Sequence, residues 1–397
     1  MCNVKRKCIS CGNDKLDILI KFDNFPESAQ NIPSKEELDN EKGISIRLCQ
    51  CQGCGLVQFD CGAVSYYNDV IRAGGYTTTM TELRKKQYRG LIEKYNLQRK
   101  KFLEVGCGQG EFLNVLNDFD VEAYGIEHKE DLVAKAQEKG LQVWSDFAEN
   151  AETPLRDPYH NGKYDVFLSF NFLEHQPNPK AMLECIYENL NEDGMGLVTV
   201  PSFEYILDLN VYYEFIHDHL AYYTFETLEY LLNSCGFEVL EKEMINRDTL
   251  SCIVKKIPRD KVKHMVIGGE QILIDGIKGN IVDLGNEVRA LLTEAEQRNE
   301  KLAVWGASHQ GFTLASTTML KDKARYIIDS APFKQGKYAP ASHLPIVSAE
   351  YFFVEPVERI LIVAPGYTDE IAGIIRERFG THVKIYALKS RHIEKYI

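Results

Sequence analysis

The chain has 397 residues, of which 44% are hydrophobic and 26% charged, a composition typical of an ordered globular protein. Its length exceeds one typical core and predicts two or three domains. The formal net charge of −12 disfavours nucleic acid as a partner, because phosphates would be repelled. The sequence contains no apolar run of membrane-spanning length, and residues 1–5 lack the apolar region of a signal peptide, so we expect a cytoplasmic protein.

Five of the eleven cysteines fall in two short motifs, C-I-S-C-G at 8–12 and C-Q-C-Q-G-C-G at 49–55. Two C-x-x-C-G turns fit a structural zinc site, because each turn directs two thiolates at one tetrahedral ion. The expected ligands are Cys8, Cys11, Cys51 and Cys54, with Cys49 as a competitor; a redox pair or coincidental thiols are the alternative. Few residues between the motifs follow a core-forming pattern, so the metal is expected to supply much of the folding energy.

A hydroxyl-rich segment at 66–82 leads into an amphipathic helix predicted at about 81–95. Hydroxyl clusters of this kind usually cap helices or form turns. Tyr76 and the neighbouring threonines could instead line a polar ligand site, and both interpretations stay open.

The most distinctive segment is F-L-E-V-G-C-G-Q-G-E-F at 102–112, which predicts a buried strand, a glycine-rich turn and a helix starting at 111. Gly106, Gly108 and Gly110 let the backbone turn tightly and approach a ligand. A second predicted strand ends in Glu127, whose carboxylate can bind two ribose hydroxyls. A dinucleotide-binding site also combines a glycine-rich turn with an acidic residue at the end of the next strand, and it is the alternative. The sequence around the glycines resembles the S-adenosylmethionine site of class I methyltransferases.

From residue 101 the chain alternates strands and helices, as a doubly wound α/β sheet requires. Helices are predicted at 129–139, 178–190 and 225–235, and strands near 141–145, 164–170, 196–201, 237–244 and 250–256 complete a seven-stranded sheet. Residues just past the carboxyl ends of such strands lie over the ligand crevice. Further cofactor-binding candidates are Glu104, Asp146, Phe147 and Asn171. Asp146 either contacts adenine or caps a helix.

Two histidine-containing segments are candidates for catalysis. His175 follows the strand at 164–170, where a structural role is equally compatible with its position. His217, Asp218 and His219 form an unusual H-D-H sequence within 212–224. A histidine beside a carboxylate can have a pKa near neutrality, which suits proton abstraction. A catalytic metal site or a purely structural role is the alternative.

After residue 257 a charged amphipathic segment, helical over 283–300, precedes a second Rossmann-like pattern. It consists of a strand at 301–305, a G-A-S-H-Q-G turn, a helix at 312–320 and strands near 325–329, 359–364 and 383–387. Because a full G-x-G-x-x-G motif is missing, we expect a degenerate domain that helps to hold an anionic or nucleotide-bearing substrate. Lys334 and Lys337 either contact phosphate or belong to a surface loop.

The order of these parts resembles the sugar C-methyltransferases, which methylate C-3 of nucleotide-linked 4-keto-6-deoxy sugars. The resemblance is carried by C-Q-G-C-G-L-V-Q at 51–58, by I-H-D-H-L-A-Y-Y-T at 216–224, and by Asp329 with P-F-K-Q-G-K-Y at 332–338 and Pro340. It implies a zinc-binding domain at 1–70, a class I methyltransferase domain at 71–256 and a C-terminal Rossmann-like domain at 257–397.

The resemblance also implies residue roles. His219 corresponds to the family's active-site histidine and is the first candidate for the base that removes the C-3 proton. Asp218 stands where the family has Glu, and Ile216 stands where it commonly has Tyr. The resulting carbanion would take the methyl group of S-adenosylmethionine, while zinc would be structural. Candidates to orient the sugar or stabilise the enolate are Tyr76, His175 and Tyr222.

The implied substrate is a small nucleotide sugar, with dTDP as the expected nucleotide, and the chain is expected to act as a monomer without nucleic-acid or membrane partners. The departure at Ile216 keeps open methylation at another C, O or N position. A non-catalytic S-adenosylmethionine sensor and a zinc-ribbon protein that binds nucleic acid are further alternatives.

Overall fold

The computed structural model describes residues 7–69, 78–149, 151–152, 154–160, 162–262 and 271–396. Tyr76, one of the predicted site residues, lies outside these ranges. No helix within them is long and apolar enough to cross a membrane.

The described ranges contain seventeen strands and nine α-helices, joined by loops and short 3₁₀ helices. The strands are β1 (Leu16–Phe25), β2 (Ile44–Cys51), β3 (Val57–Phe59), β4 (Lys101–Val105), β5 (Glu122–Glu127), β6 (Gln142–Ser145), β7 (Tyr164–Phe170), β8 (Leu190–Pro201), β9 (Ala221–Tyr222), β10 (Phe237–Ile245), β11 (Thr249–Lys256), β12 (Leu302–Trp305), β13 (Ile327–Ile328), β14 (Ile346–Val347), β15 (Arg359–Ile362), β16 (Lys384–Leu388) and β17 (Ile393–Tyr396). The helices are α1 (Thr78–Tyr95), α2 (Glu130–Glu138), α3 (Pro179–Asn189), α4 (Phe203–Leu209), α5 (Phe225–Ser234), α6 (Asp275–Gln297), α7 (His309–Thr317), α8 (Leu320–Lys323) and α9 (Thr368–Phe379).

The N-terminal sheet has the strand order β1-β2-β3-β9, with antiparallel pairing throughout. Although few residues here follow a core-forming pattern, β1 buries Leu19, Ile20, Phe22 and Phe25, and Phe22 packs against Tyr212 and Phe215 from the middle of the chain. The folding energy expected from the metal stays a prediction. A break in the register of β1 disrupts simple alternation, which hides the strand from a periodicity argument. The fourth strand, β9, comes from a distant part of the chain and directly follows the H-D-H segment.

The central sheet has the order β10-β11-β8-β7-β4-β5-β6 and confirms the predicted doubly wound fold with seven strands. The strands from β8 to β6 are parallel, whereas β11 and β10 join antiparallel at one edge. Helices predicted near α1, α2, α3 and α5 are confirmed.

The helix predicted to start at residue 111 is wrong. Turns follow Gly110, whose φ is +76°, and lead into a 3₁₀ helix at Asn114–Asp118. Asn117 donates a hydrogen bond to the side chain of Asn114. Asn114, Asn117 and Asp118 have low intrinsic helix propensity, which disfavours a regular α-helix over this segment.

The C-terminal sheet has the order β14-β13-β12-β15-β16-β17, parallel except for the last strand. It confirms the second Rossmann-like pattern, although α6 begins well before the predicted start at residue 283 and α7 ends before residue 320. The domain division at 1–70, 71–256 and 257–397 stays a prediction. The pairing of β9 with β3 joins the first two of these ranges.

Candidate active site

A cleft of about 280 Å³ lies at the carboxyl ends of β4, β5, β6 and β7. It brings together six of the predicted cofactor-binding residues: Gly106, Gly108, Glu127, Asp146, Phe147 and Asn171. Glu104 and Gly110 do not line the cleft. Glu104 is fully buried in β4, and a Cβ on Gly110 would lie 2.2 Å from Cδ1 of Leu141, so that glycine allows close packing.

Glu127 is fixed at the end of β5 by two backbone amides. Its Oε2 accepts a hydrogen bond from the amide of Gly108 at 2.9 Å, and its Oε1 accepts one from the amide of Lys129 at 3.0 Å. Each carboxylate oxygen has a second lone pair, which can accept a hydroxyl hydrogen of a ligand. Gly106 and Gly108 both have positive φ, a conformation that glycine adopts without strain. This arrangement fits the ribose of S-adenosylmethionine.

Asp146 and Asn171 border the same cleft. Asp146 accepts hydrogen bonds from the amides of Phe147 and Arg156, each at 2.8 Å, and so closes a loop. The helix N-cap alternative for Asp146 is wrong, because no helix follows it in the described residues before β7. Asn171 is held by Thr199, whose hydroxyl donates to the Asn171 side-chain oxygen at 2.8 Å.

Sequence reasoning missed several lining residues. His128 and Lys129 directly follow Glu127, and this adjacency could have identified them. Asn68 lies in the hydroxyl-rich segment at 66–82, for which a polar ligand site was one interpretation, but the residue itself was not singled out. The other missed lining residues include Gln109, Glu111, Asp131, Leu132, Lys135, Ala148 and Phe172.

A second group of polar residues lies at the end of β7. Phe172 borders the cleft and precedes the 3₁₀ turn Leu173–His175. Glu174, His175 and His219 each offer one donor atom, and these atoms lie within 4.8 Å of one another. The His175 and His219 rings meet edge to face, with centroids 4.8 Å apart. The structure therefore brings together two histidines that the sequence suggested separately.

The protonation of these histidines follows from their surroundings. Nδ1 of His175 lies 2.7 Å from the backbone oxygen of Asp218, so Nδ1 donates and Nε2 keeps a lone pair. Burial lowers the pKa of His175. Burial, reinforced by His175 and His309, lowers the pKa of His219 well below its usual value. Both rings are thus neutral near pH 7 and able to accept a proton.

The other two residues of the H-D-H sequence contact the N-terminal part of the chain. The buried carboxylate of Asp218 accepts hydrogen bonds from the Tyr66 hydroxyl at 2.7 Å and from the Ala29 amide at 2.9 Å. The ring nitrogens of His217 lie 2.7 Å and 3.0 Å from two backbone carbonyls, those of Glu27 and Gly62. These contacts fix the segment that carries His219.

Ile216 and Tyr222 contact each other directly. The Tyr222 hydroxyl accepts a hydrogen bond from the Ile216 amide at 2.9 Å and donates one to the Ile216 carbonyl at 3.0 Å. Ile216 also borders a small cleft with Ala29 and His309. The Tyr222 hydroxyl therefore stabilises the loop before His219.

The four predicted zinc ligands are brought together. The sulfur atoms of Cys8, Cys11, Cys51 and Cys54 lie within 4.8 Å of one another, with Cys8–Cys54 at 3.5 Å and Cys11–Cys51 at 3.4 Å. Thiolates around tetrahedral zinc, with bonds of about 2.3 Å, lie about 3.8 Å apart, so this donor set fits the ion. Cys49 is buried on β2 and does not belong to the group.

The C-terminal part of the chain contacts the loop that carries His219 through α7. His309 and Gln310, at its start, contact the carboxylate of Glu214 at 3.3 Å and 2.7 Å. The Lys334 ammonium donates to the backbone oxygen of Ala307 at 2.8 Å and pairs with Asp329 at 3.4 Å. These contacts stabilise the loop, so Lys334 has structural partners at the position considered for phosphate binding.

Comparisons with known proteins agree with this arrangement. Residues 80–242 match the sequence model of a methyltransferase domain, and residues 275–384 match that of a C-methyltransferase C-terminal domain. The C-methyltransferase NovU of Streptomyces niveus is 21% identical over 387 residues, which cover 92% of this chain and 91% of NovU. A ubiquinone biosynthesis O-methyltransferase of Marinobacter nauticus is 31% identical over 110 residues, 27% of this chain and 46% of that protein.

Among solved structures, magnesium protoporphyrin IX methyltransferase of Synechocystis PCC 6803 with bound SAH matches 48% of this chain and 97% of its own, with 15% identity and a TM-score of 0.35. The fold, the cleft and the matched domain define the protein as an S-adenosylmethionine-dependent methyltransferase. More particularly, it fits the C-methyltransferase family, because the similarity to NovU spans nearly the whole chain and includes the family's C-terminal domain.

Proposed function

We propose that the protein methylates C-3 of a nucleotide-linked 4-keto-deoxy sugar, with His219 as the base. The observation that carries the proposal is the pair of neutral histidines, His219 and His175, whose rings are in contact; His175 belongs to the turn that directly follows Phe172, a residue of the cleft. A 4-keto group acidifies the hydrogen on C-3, and a neutral imidazole has the lone pair that can accept that proton.

The two histidines would have different roles. His175 donates Nδ1–H to the Asp218 carbonyl, so its Nε2 carries a lone pair and cannot donate to an enolate oxygen while the ring is neutral. The interpretation of neutral His175 as the enolate donor is therefore disfavoured. His219 becomes cationic when it takes the proton, and this charge next to the enolate would stabilise it. His175 is proposed to orient the His219 ring through their edge-to-face contact.

The cleft at the ends of β4 and β5 is proposed to hold S-adenosylmethionine, with Glu127 at the ribose and Gly106 and Gly108 allowing close approach. When bound there, the cosubstrate supplies an electrophilic methyl group. The protein's own contribution is to align the sugar, to remove the proton and to exclude water. The four-cysteine group is proposed to hold a structural zinc ion, because four thiols leave no open position for catalysis.

The nucleotide of the substrate, with dTDP as the first candidate, is proposed to lie near the turn at 306–311. This turn follows β12 at the carboxyl edge of a parallel sheet, where such folds bind ligands. Its helix α7 contacts Glu214, a residue of the same loop as His219. The C-terminal domain would thereby connect substrate binding to the catalytic segment.

A turnover assay in deuterated water tests the proposal. The enzyme receives S-adenosylmethionine and a dTDP-4-keto-deoxyhexose, and mass spectrometry follows methyl gain and C-3 exchange. We expect His219→Asn to lower methyl transfer by at least ~10²-fold. His392→Asn, at an exposed histidine paired with Glu287, is the matched control and should retain activity. Absence of both exchange and methyl gain in the wild type would exclude this substrate class.

Methylation at an O or N atom of a related sugar nucleotide is the second candidate. It is favoured by Ile216, since the C-methyltransferases that the sequence resembles commonly have Tyr at that position. The same assay distinguishes the two, because an O- or N-methylated product keeps its C-3 hydrogen and forms without solvent exchange.

A further inference from the structure

The cluster of Glu174, His175 and His219 is also a set of metal-binding donors. One donor atom from each residue lies within 4.8 Å of the others, and Oε1 of Glu174 is 3.7 Å from Nε2 of His175. Two imidazoles and one carboxylate are ligands by which proteins hold Zn²⁺ and other first-row divalent cations with positions left open. Donors around tetrahedral zinc with bonds of ~2.05 Å lie ~3.4 Å apart, so a small side-chain rotation brings this set into range.

The imidazole of His175 already has the tautomer that a cation requires. His175 donates Nδ1–H to the Asp218 carbonyl, and metal-bound histidines commonly hold their second nitrogen in this way. The lone pair on Nε2 is therefore directed away from that carbonyl.

Glu174 supplies the third donor. Its side chain is 1% exposed and lies 3.7 Å from Nε2 of His175, so its carboxylate would neutralise part of the charge of a cation bound here. The backbone oxygen of Glu174 accepts a hydrogen bond from the Leu220 amide at 2.8 Å, which holds the Glu174–His175 turn against the segment that carries His219. The donors thus come from two segments whose backbones are fixed to each other.

We propose that Glu174, His175 and His219 form a second divalent-cation site, separate from the four cysteines, and that Zn²⁺ bound there inhibits the enzyme. Coordination uses the lone pair of His219 that would otherwise accept the C-3 proton. The inhibitory part rests on the proposed function, whereas cation binding does not. The site therefore provides competition between a proton and a metal ion for the same nitrogen.

Binding is measured on full-length protein whose four-cysteine group has been loaded with zinc. Co²⁺ is the probe, followed by its near-ultraviolet and visible absorption, because thiolate ligation adds intense near-ultraviolet charge-transfer bands that nitrogen and oxygen ligation lacks. We expect the zinc-loaded protein to bind one further equivalent of Co²⁺, whose spectrum lacks the thiolate charge-transfer bands. Glu174→Gln should weaken it by at least ~100-fold, and Glu188→Gln, at an exposed glutamate paired with Arg259, should leave it unchanged.

A second variant keeps the binding test decisive if Glu174→Gln does not fold. His219→Asn removes a ligand at a partly exposed position and should also abolish the further equivalent. The proposal is overturned if wild-type protein takes up no cobalt beyond the four-cysteine group, or if folded variants bind it with wild-type affinity.

Inhibition is measured in the methyl-transfer assay by titrating Zn²⁺, with each variant normalised to its own activity without added metal. We expect Glu174→Gln to raise the inhibitory Zn²⁺ concentration by the factor found for cobalt affinity. Activation by Zn²⁺, or the same inhibition in Glu174→Gln, overturns the inhibitory role. If no 4-keto sugar is methylated, the cobalt titration still decides the binding site, so failure of the proposed function is distinguishable from failure of the metal proposal.

Discussion

The substitution Tyr66→Phe tests whether the N-terminal part of the chain positions the loop that carries Asp218 and His219 for catalysis. The Tyr66 hydroxyl donates to the Asp218 carboxylate at 2.7 Å and lies 2.6 Å from the Ser28 hydroxyl. The Asp218 peptide oxygen accepts the hydrogen bond from Nδ1–H that fixes the tautomer of His175. Removing the hydroxyl keeps the aromatic ring and leaves the Asp218 carboxylate with the Ala29 amide.

The expected magnitude follows from the kind of bond that is lost. A hydrogen bond to a charged group contributes about 1.5–3 kcal/mol, and about 1.4 kcal/mol corresponds to tenfold in rate. His217 and the β3–β9 pairing still hold the segment, so we expect only part of this energy to appear as a fall in kcat of about tenfold. Burial, with the nearby charge of Asp218, raises the pKa of Tyr66, so its hydroxyl remains a donor in any practical assay.

Steady-state kinetics of methyl transfer measure the effect. We expect kcat to fall while the KM for S-adenosylmethionine is retained, because Tyr66 does not line its cleft. Tyr95→Phe is the matched control, since it removes a tyrosine–carboxylate hydrogen bond to Glu241, away from the site. If kcat of Tyr66→Phe stays within about twofold of the wild type, or if Tyr95→Phe lowers it equally, Tyr66 has no positioning role.

Three further predictions concern the cofactor, the zinc and the pH. Glu127→Gln should weaken S-adenosylmethionine binding by about 10–100-fold in calorimetry, because the amide offers the ribose one acceptor fewer. Glu122→Gln, on the same strand, is the control and should bind like the wild type. Equal affinities of the two variants would contradict the prediction. Cys51→Ser should lose zinc and lower the melting temperature, whereas Cys49→Ser should keep one zinc per chain by elemental analysis; equal metal contents would refute the ligand assignment. The acid limb of kcat/KM should lie below pH 6.5, because burial lowers the pKa of His219 and the neutral base persists to lower pH. The contribution of neutral His219 to stability is present above pH 6.5 and is lost as the pH falls toward the lowered pKa of the folded state. An acid limb of kcat/KM above pH 6.5 would contradict the prediction.

The sequence predicted the central sheet well because its signals are local. The strand and glycine turn at 102–110, and the strand ending in Glu127, are read from neighbouring residues, and they place the cofactor cleft. The prediction failed at 111–118, where residues of low helix propensity form turns and a 3₁₀ helix. It also missed β1, whose irregular register breaks the alternation that a strand normally shows.

The histidine cluster could be predicted only in part. His175 and His219 were each recognised, yet their contact depends on how two loops meet, and no spacing in the chain encodes it. The H-D-H sequence suggested three residues acting together. In the folded chain this segment is a loop, and the side chains of His217 and Asp218 turn to the N-terminal part while His219 faces His175.

The N-terminal sheet connects the four-cysteine group to the loop that carries His219. Cys51 ends β2, β2 pairs with β3, and β3 pairs with β9, which begins two residues after His219. Zinc loss and Tyr66→Phe should therefore disturb the same segment through different contacts. Effects that act on one shared element are not additive. We expect Tyr66→Phe to lower kcat about tenfold in zinc-loaded protein and much less in a folded Cys51→Ser background, and full additivity in this double-mutant cycle would show that the two act independently.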